Sequence, residues 1–113
     1  MLQRSIPSTN EQLPVIGLGT WKVFDIPPQA EEDEQRKLLQ VLNEMQQHGG
    51  TLIDSSPMYG HAEEVVGKLT QVSGIADKFF YATKVWTQGK KEGIRQMEDS
   101  FRKMSRKTMD LMQ

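Results

Sequence analysis

An α/β fold built on a parallel sheet is predicted by three observations. Short apolar runs of strand type recur at Val15–Leu18, Thr51–Ile53, Phe79–Thr83 and Thr108–Gln113. Amphipathic helical segments separate them, so that the pattern repeats at about the length of one βαβ crossover. The runs are also too uniformly apolar to face water, which implies a sheet covered by helices.

Composition narrows the class. The chain has 113 residues, enough for one modest domain. Its formal net charge of -1 argues against a nucleic-acid surface, which needs a basic excess. No apolar run approaches the roughly 20 residues that span a bilayer, and Met1–Pro7 lacks the apolar centre of a secretory signal, so a cytoplasmic protein is expected. Without cysteine there is no disulfide framework and no thiol catalysis. His48 and His61 are too few, in contexts too different, to suggest a metal site.

In chain order, Met1–Leu13 is polar and holds turn formers at Pro7, Ser8, Thr9 and Asn10, followed by Pro14, and reads as a loop or a small capping hairpin. Val15–Leu18 is the first strand, closed by Gly19-Thr20-Trp21, and Asp25–Gln29 is an irregular connection. Glu31, Glu32, Asp33 and Glu34 place acids where a helix dipole favours them. The stripe Leu38, Leu39, Val41, Leu42 and Met45 carries that helix to a glycine stop at Gly49-Gly50.

Thr51–Ile53 is the second strand, and His61–Leu69 a short amphipathic helix. A turn at Ser73–Lys78 leads to the third strand, Phe79–Thr83. Helix returns from about Lys91 to Ser105, with Ile94, Met97, Phe101 and Met104 expected on one buried face. The fourth strand begins near Thr108 and has no terminator. A parallel sheet of about four strands leaves an apolar edge open to self-association, so the chain reads as the first part of something longer.

Parallel strands gather the residues at their ends on one face, where α/β proteins carry their sites. Trp21, Asp54, Tyr59, Lys84 and Trp86 all follow strand ends. Singly, each has a plainer use: Asp54 as a helix cap, Lys84 as a snorkelling strand-end cation, Tyr59 as a packing residue. Together they form a recognisable acid. A phenol in water gives up its proton only near pH ~10, and a neighbouring ammonium favours the phenolate. A carboxylate keeps that ammonium charged and holds its flexible stem. Trp21 and Trp86 add apolar walls for a small organic substrate.

Three motifs in order, Gly17-Leu18-Gly19-Thr20-Trp21, Ile53-Asp54-Ser55-Ser56-Pro57-Met58-Tyr59-Gly60 and Ala82-Thr83-Lys84-Val85-Trp86, closely resemble those of the aldo-keto reductases, in a version similar to a bacterial branch. The tail Met109–Gln113 resembles that family's fourth strand, so the resemblance runs over nearly the whole chain. It implies the first part, about four strands and three helices, of a parallel (β/α)8 TIM barrel, residues 1–113 being the N-terminal half of a single barrel domain that ends within strand 4.

The resemblance also implies reduction of aldehydes and ketones with a nicotinamide cofactor, NADP with NAD as the second choice, and a small carbonyl compound as the substrate. Tyr59 matches the proton donor, and Asp54 and Lys84 match the residues that tune it. Gly19, Thr20 and Trp21, together with Asp54, match cofactor-binding positions. Trp21, Met58 and Trp86 match substrate-pocket positions. A fourth catalytic residue, a histidine, follows the tail motif in that family, and the 113-residue piece alone is therefore expected to be inactive. Two alternatives stand beside this reading: a non-catalytic nicotinamide-binding or accessory protein keeping the fold, and a barrel enzyme using Lys84 as a Schiff-base amine.

Overall fold

The computed structural model describes all residues 1–113. Of the two readings of the N-terminus, the hairpin is found: β1 (Gln3–Ser5) pairs antiparallel with β2 (Gln12–Pro14), turned through Asn10 at φ 58°. The remaining strands, β3 (Leu18–Gly19), β4 (Leu52–Asp54), β5 (Phe80–Thr83) and β6 (Leu111–Met112), form one parallel sheet in that order. Helices α1 (Glu32–Gln47), α2 (Ala62–Val72) and α3 (Lys90–Lys103) make the crossovers. None of them is long and apolar enough to cross a membrane.

Each helix starts and stops for local reasons. The α1 first turn holds Glu32, Asp33 and Glu34, complementing the dipole, and Leu38 and Leu42 are its buried residues. It ends at His48, where Gly49 at φ 81° turns the chain and Gly50 N–H reaches back to Met45 O at 2.7 Å. Helix α3 carries Arg102 and Lys103 in its last turn, the favourable end for cations.

Ile53 of β4 and Tyr81 of β5 are neighbours in register, both fully buried. They meet Phe24, Leu38, Leu42, Val66 and Met104 in one core between the sheet and its helices. Gly67 allows the closest approach in this layer, because a Cβ there would lie 2.8 Å from the Met104 Cα.

Three expectations need correction. The first strand does not span Val15–Leu18: Val15 and Ile16 are exposed, and pairing with β4 begins only at Leu18↔Ile53. The strands are not all buried on both faces; β5 is, but Leu111 in the edge strand β6 is exposed and Leu18 in β3 is half-buried. The α3 stripe is not buried along its whole length. Ile94 is exposed, Met97 and Phe101 are half-buried and Met104 is fully buried, where the end of α3 closes on α2 at Gly67.

Tyr81 gives the fold a pH limit. Its ring is inaccessible, its hydroxyl donates to Ala76 O at 2.7 Å, and burial pushes the phenol up from its ordinary value of 10.0. A group raised in the folded state contributes its full stability below the unfolded value and loses it as pH rises through the folded one. Denaturant melts are therefore expected to weaken above pH ~10. Tyr81→Phe should flatten that alkaline loss, at a cost of about 1 kcal/mol at neutral pH for the missing hydrogen bond.

Candidate active site

Asp54 is the last residue of β4, and Lys84 follows the last residue of β5. Because these strands run parallel, with Asp54 opposite Ala82, both side chains emerge at the same end of the sheet. Lys84 Nζ donates to Asp54 Oδ1 and Oδ2, each at 2.9 Å, and to Ser55 O at 2.6 Å. Three acceptors match the three protons of an ammonium, which fixes the end of a stem that is otherwise freely rotating.

Tyr59 lies in the turn before α2. The Tyr59 N–H donates to Ser56 O at 3.1 Å, and the Tyr59 carbonyl accepts from Ala62 N–H at 3.0 Å. The Lys84 nitrogen sits 5.2 Å from the Tyr59 ring centroid. At that distance the ammonium is attracted to the π face of the ring. Trp21, just beyond β3, packs against Tyr59 with ring centroids 6.5 Å apart and planes tilted by 40°.

Trp21, Ser56, Met58, Tyr59, Lys84 and Trp86 line one open depression of about 460 Å³. The structure thus brings together the proposed acid and all three expected pocket residues, Trp21, Met58 and Trp86, each of them well exposed. A larger hollow lies over α3, but no hydrophobic residue lines it, and its charges are matched to one another, as in Arg95–Glu92 and Arg102–Asp99. The smaller depression, with apolar walls and convergent polar groups, is the better ligand site.

The other expected site residues are placed differently. Thr20 is fully buried, its hydroxyl donating to Asp54 O at 3.1 Å and lying 2.9 Å from Ser55 Oγ, so it ties β3 to the Asp54 turn. Gly19 is exposed, and a Cβ built on it meets nothing within 4 Å, so open space lies beside that backbone.

Sequence reasoning missed two contributors. Gln113 Nε2 donates to Asp54 Oδ1 at 3.0 Å. Glu63 is buried, its Oε1 accepting from Thr83 Oγ1 at 2.6 Å while Oε2 has no partner. It thereby links the helix after Tyr59 to the strand end before Lys84. A signal for Glu63 existed, since Val66, Gly67 and Thr70, three, four and seven positions on, are all buried and put it on the inward face.

Residues 15–113 match the model of the aldo/keto reductase family. The chain belongs to that family. Among its aldo/keto reductase relatives is methylglyoxal reductase YeaE of Escherichia coli (strain K12), 34% identical over 117 residues that cover 98% of this chain and 38% of the relative. An aldo/keto reductase of Klebsiella pneumoniae, crystallised with NADP and acetate, superposes with a TM-score of 0.74 at 30% identity, over 91% of this chain and 35% of that one. Another from the same organism, crystallised with NADPH, gives 0.78 at 28% identity over 99% and 39%. These reductases are (β/α)8 barrels, and the four-stranded parallel sheet with its helices corresponds to part of one. The chain spans less than half the length of the relatives it matches.

Proposed function

We propose that the whole protein containing these residues reduces small aldehydes and ketones to alcohols, with Tyr59 as the proton donor. One observation carries this reading: the Lys84 ammonium, held by Asp54 and the Ser55 carbonyl, is poised beside the Tyr59 ring at the floor of an apolar-walled depression. An unpaired lysine would drift on its stem. Here its position is determined, so its field acts on one phenol.

Relatives crystallised with NADP or NADPH make a nicotinamide cofactor, the phosphorylated form first and NAD second, the expected source of reducing power. When bound, it supplies the hydride that reaches the carbonyl carbon. The residues present fit its nicotinamide end: the open space beside Gly19, the exposed Trp21 ring and the partly exposed Asp54 carboxylate form a ledge next to Tyr59. Thr20 supports that ledge from below through its bond to Asp54 O. Trp21, Met58 and Trp86 hold the apolar part of the substrate, and its carbonyl oxygen lies toward Tyr59. As negative charge grows on that oxygen, Tyr59 donates its proton, and Lys84 stabilises the phenolate left behind.

The test is oxidation of NADPH by the whole protein in the presence of a small reactive aldehyde. Turnover with alcohol as the product supports the proposal; a protein that binds NADPH and turns over nothing contradicts it. The 113-residue polypeptide expressed alone is expected to show little or no turnover and to associate, since β3 and β6 each have one unpaired edge. Robust activity from it as a monomer would contradict that expectation.

A further inference from the structure

Tyr59 is held by its turn, and that turn has a support outside the set described above. Helix α2 begins at Ala62, and the residue at its cap, His61, makes no side-chain cap hydrogen bond. A helix start leaves backbone N–H groups in need of acceptors. Here one is met from far away in the sequence: the His61 N–H donates to Asp25 Oδ1 at 2.8 Å. Gly60 between them adopts φ 57°, and a Cβ there would run into the Asp25 carboxylate. The carboxylate therefore lies directly against the backbone that follows Tyr59, at the helix end where the dipole favours an anion.

Asp25 is itself held. Its neighbour Phe24 is completely buried in the core, Phe24 N–H donates to Thr20 O at 3.2 Å, and Asp25 N–H donates to Lys22 O at 3.2 Å. Thr20 in turn is bonded to Asp54 O. One carboxylate thus connects the loop that carries Trp21 to the turn that carries Tyr59.

We propose that Asp25 is a positioning residue for proton transfer: by clamping the Gly60–His61 backbone it fixes the Tyr59 phenol beside Lys84. Its consequence for rate rests on the carbonyl-reduction reading, whereas its consequence for the position of Tyr59 does not.

The experiment is fluorine NMR of the whole protein labelled with fluorotyrosine, with kinetics measured alongside. The Tyr59 resonance is assigned by its loss in Tyr59→Phe, and that of Tyr81, packed in the core, serves as the internal control. Asp25→Ala is expected to shift or broaden the Tyr59 resonance while leaving Tyr81 in place. It should also lower kcat about tenfold or more, with the KM for NADPH unchanged. Asp25→Asn, which keeps an oxygen acceptor for His61 N–H, is expected to restore both the resonance and most of the rate.

An unmoved Tyr59 resonance in Asp25→Ala overturns the proposal, and so does a moved resonance with kcat intact, or Asp25→Asn behaving like Asp25→Ala. If Asp25→Ala does not fold, Asp25→Leu, close in shape to Asp and without an acceptor for the His61 N–H, is judged by the same criteria. An inactive wild-type protein contradicts the carbonyl-reduction reading alone, because the resonance still decides whether the clamp exists.

Discussion

Tyr59→Phe in the whole protein is expected to lower kcat for aldehyde reduction by about 10²–10⁴-fold, the range that a positioned general acid supplies. The substitution is narrow. The ring stays, and with it the packing on Trp21 at 6.5 Å and the approach of Lys84 at 5.2 Å. Only the transferable proton is lost. Affinity for NADPH, measured by fluorescence titration, should therefore be nearly unchanged while turnover collapses. A non-catalytic accessory role predicts no turnover in either protein, and a Schiff-base role for Lys84 predicts no special dependence on the Tyr59 hydroxyl.

The second large effect is expected from Lys84→Met, which keeps most of the stem's length and removes the charge. Asp54 then loses its cation and retains the weaker partner Gln113, while the Ser55 carbonyl loses its donor at 2.6 Å. The phenolate that forms as Tyr59 gives up its proton has no cation to stabilise it. A drop in kcat of about 10²-fold or more is expected, comparable to removing one preorganised donor from a charge-stabilising site. Stability should fall by only about 1 kcal/mol, because the pair is partly open to water. Lys84→Arg is not expected to rescue the rate: its longer planar fork can pair with both Asp54 oxygens, but it spreads the positive charge and moves it away from the point that the compact ammonium occupies beside Tyr59. Steady-state kinetics with thermal melts on the same preparations separates the two consequences.

What was legible in the sequence was what depends on period and on strand ends. Asp54 and Lys84 each close an apolar run, and parallel topology alone is enough to place them together. Pairing of the carboxylate with the ammonium followed from chemistry, and it is found at 2.9 Å. The first strand was misplaced because Val15 and Ile16 have strand composition but stand outside the ladder. The chain leaves β2 at Pro14 and comes close to β4 first at Gly17, where a Cβ would meet the Leu52 side chain at 2.8 Å. That crossing is a matter of tertiary packing, which a window of apolar residues does not record.

The same applies to Ile94. Helical period puts it on the face with Met104, but burial along that face rises from the exposed Ile94 through the half-buried Met97 and Phe101 to the fully buried Met104. Asp25 carried no local signal at all. It sits in an irregular Pro-containing connection, and its acceptor role exists only because the fold brings the start of α2 to it. The motif places Thr20 at a cofactor-side position, and what no motif shows is that its hydroxyl is directed at Asp54 O and Ser55 Oγ, within the protein.

Deuterium transfer tests the central claim most directly. The whole protein is given NADPH labelled with deuterium at the transferable position and a small aldehyde, and the alcohol is weighed by mass spectrometry. One deuterium on the carbinol carbon from the wild-type protein, and almost no labelled alcohol from Tyr59→Phe under the same conditions, is the predicted result. Equal amounts of labelled alcohol from both proteins would contradict it.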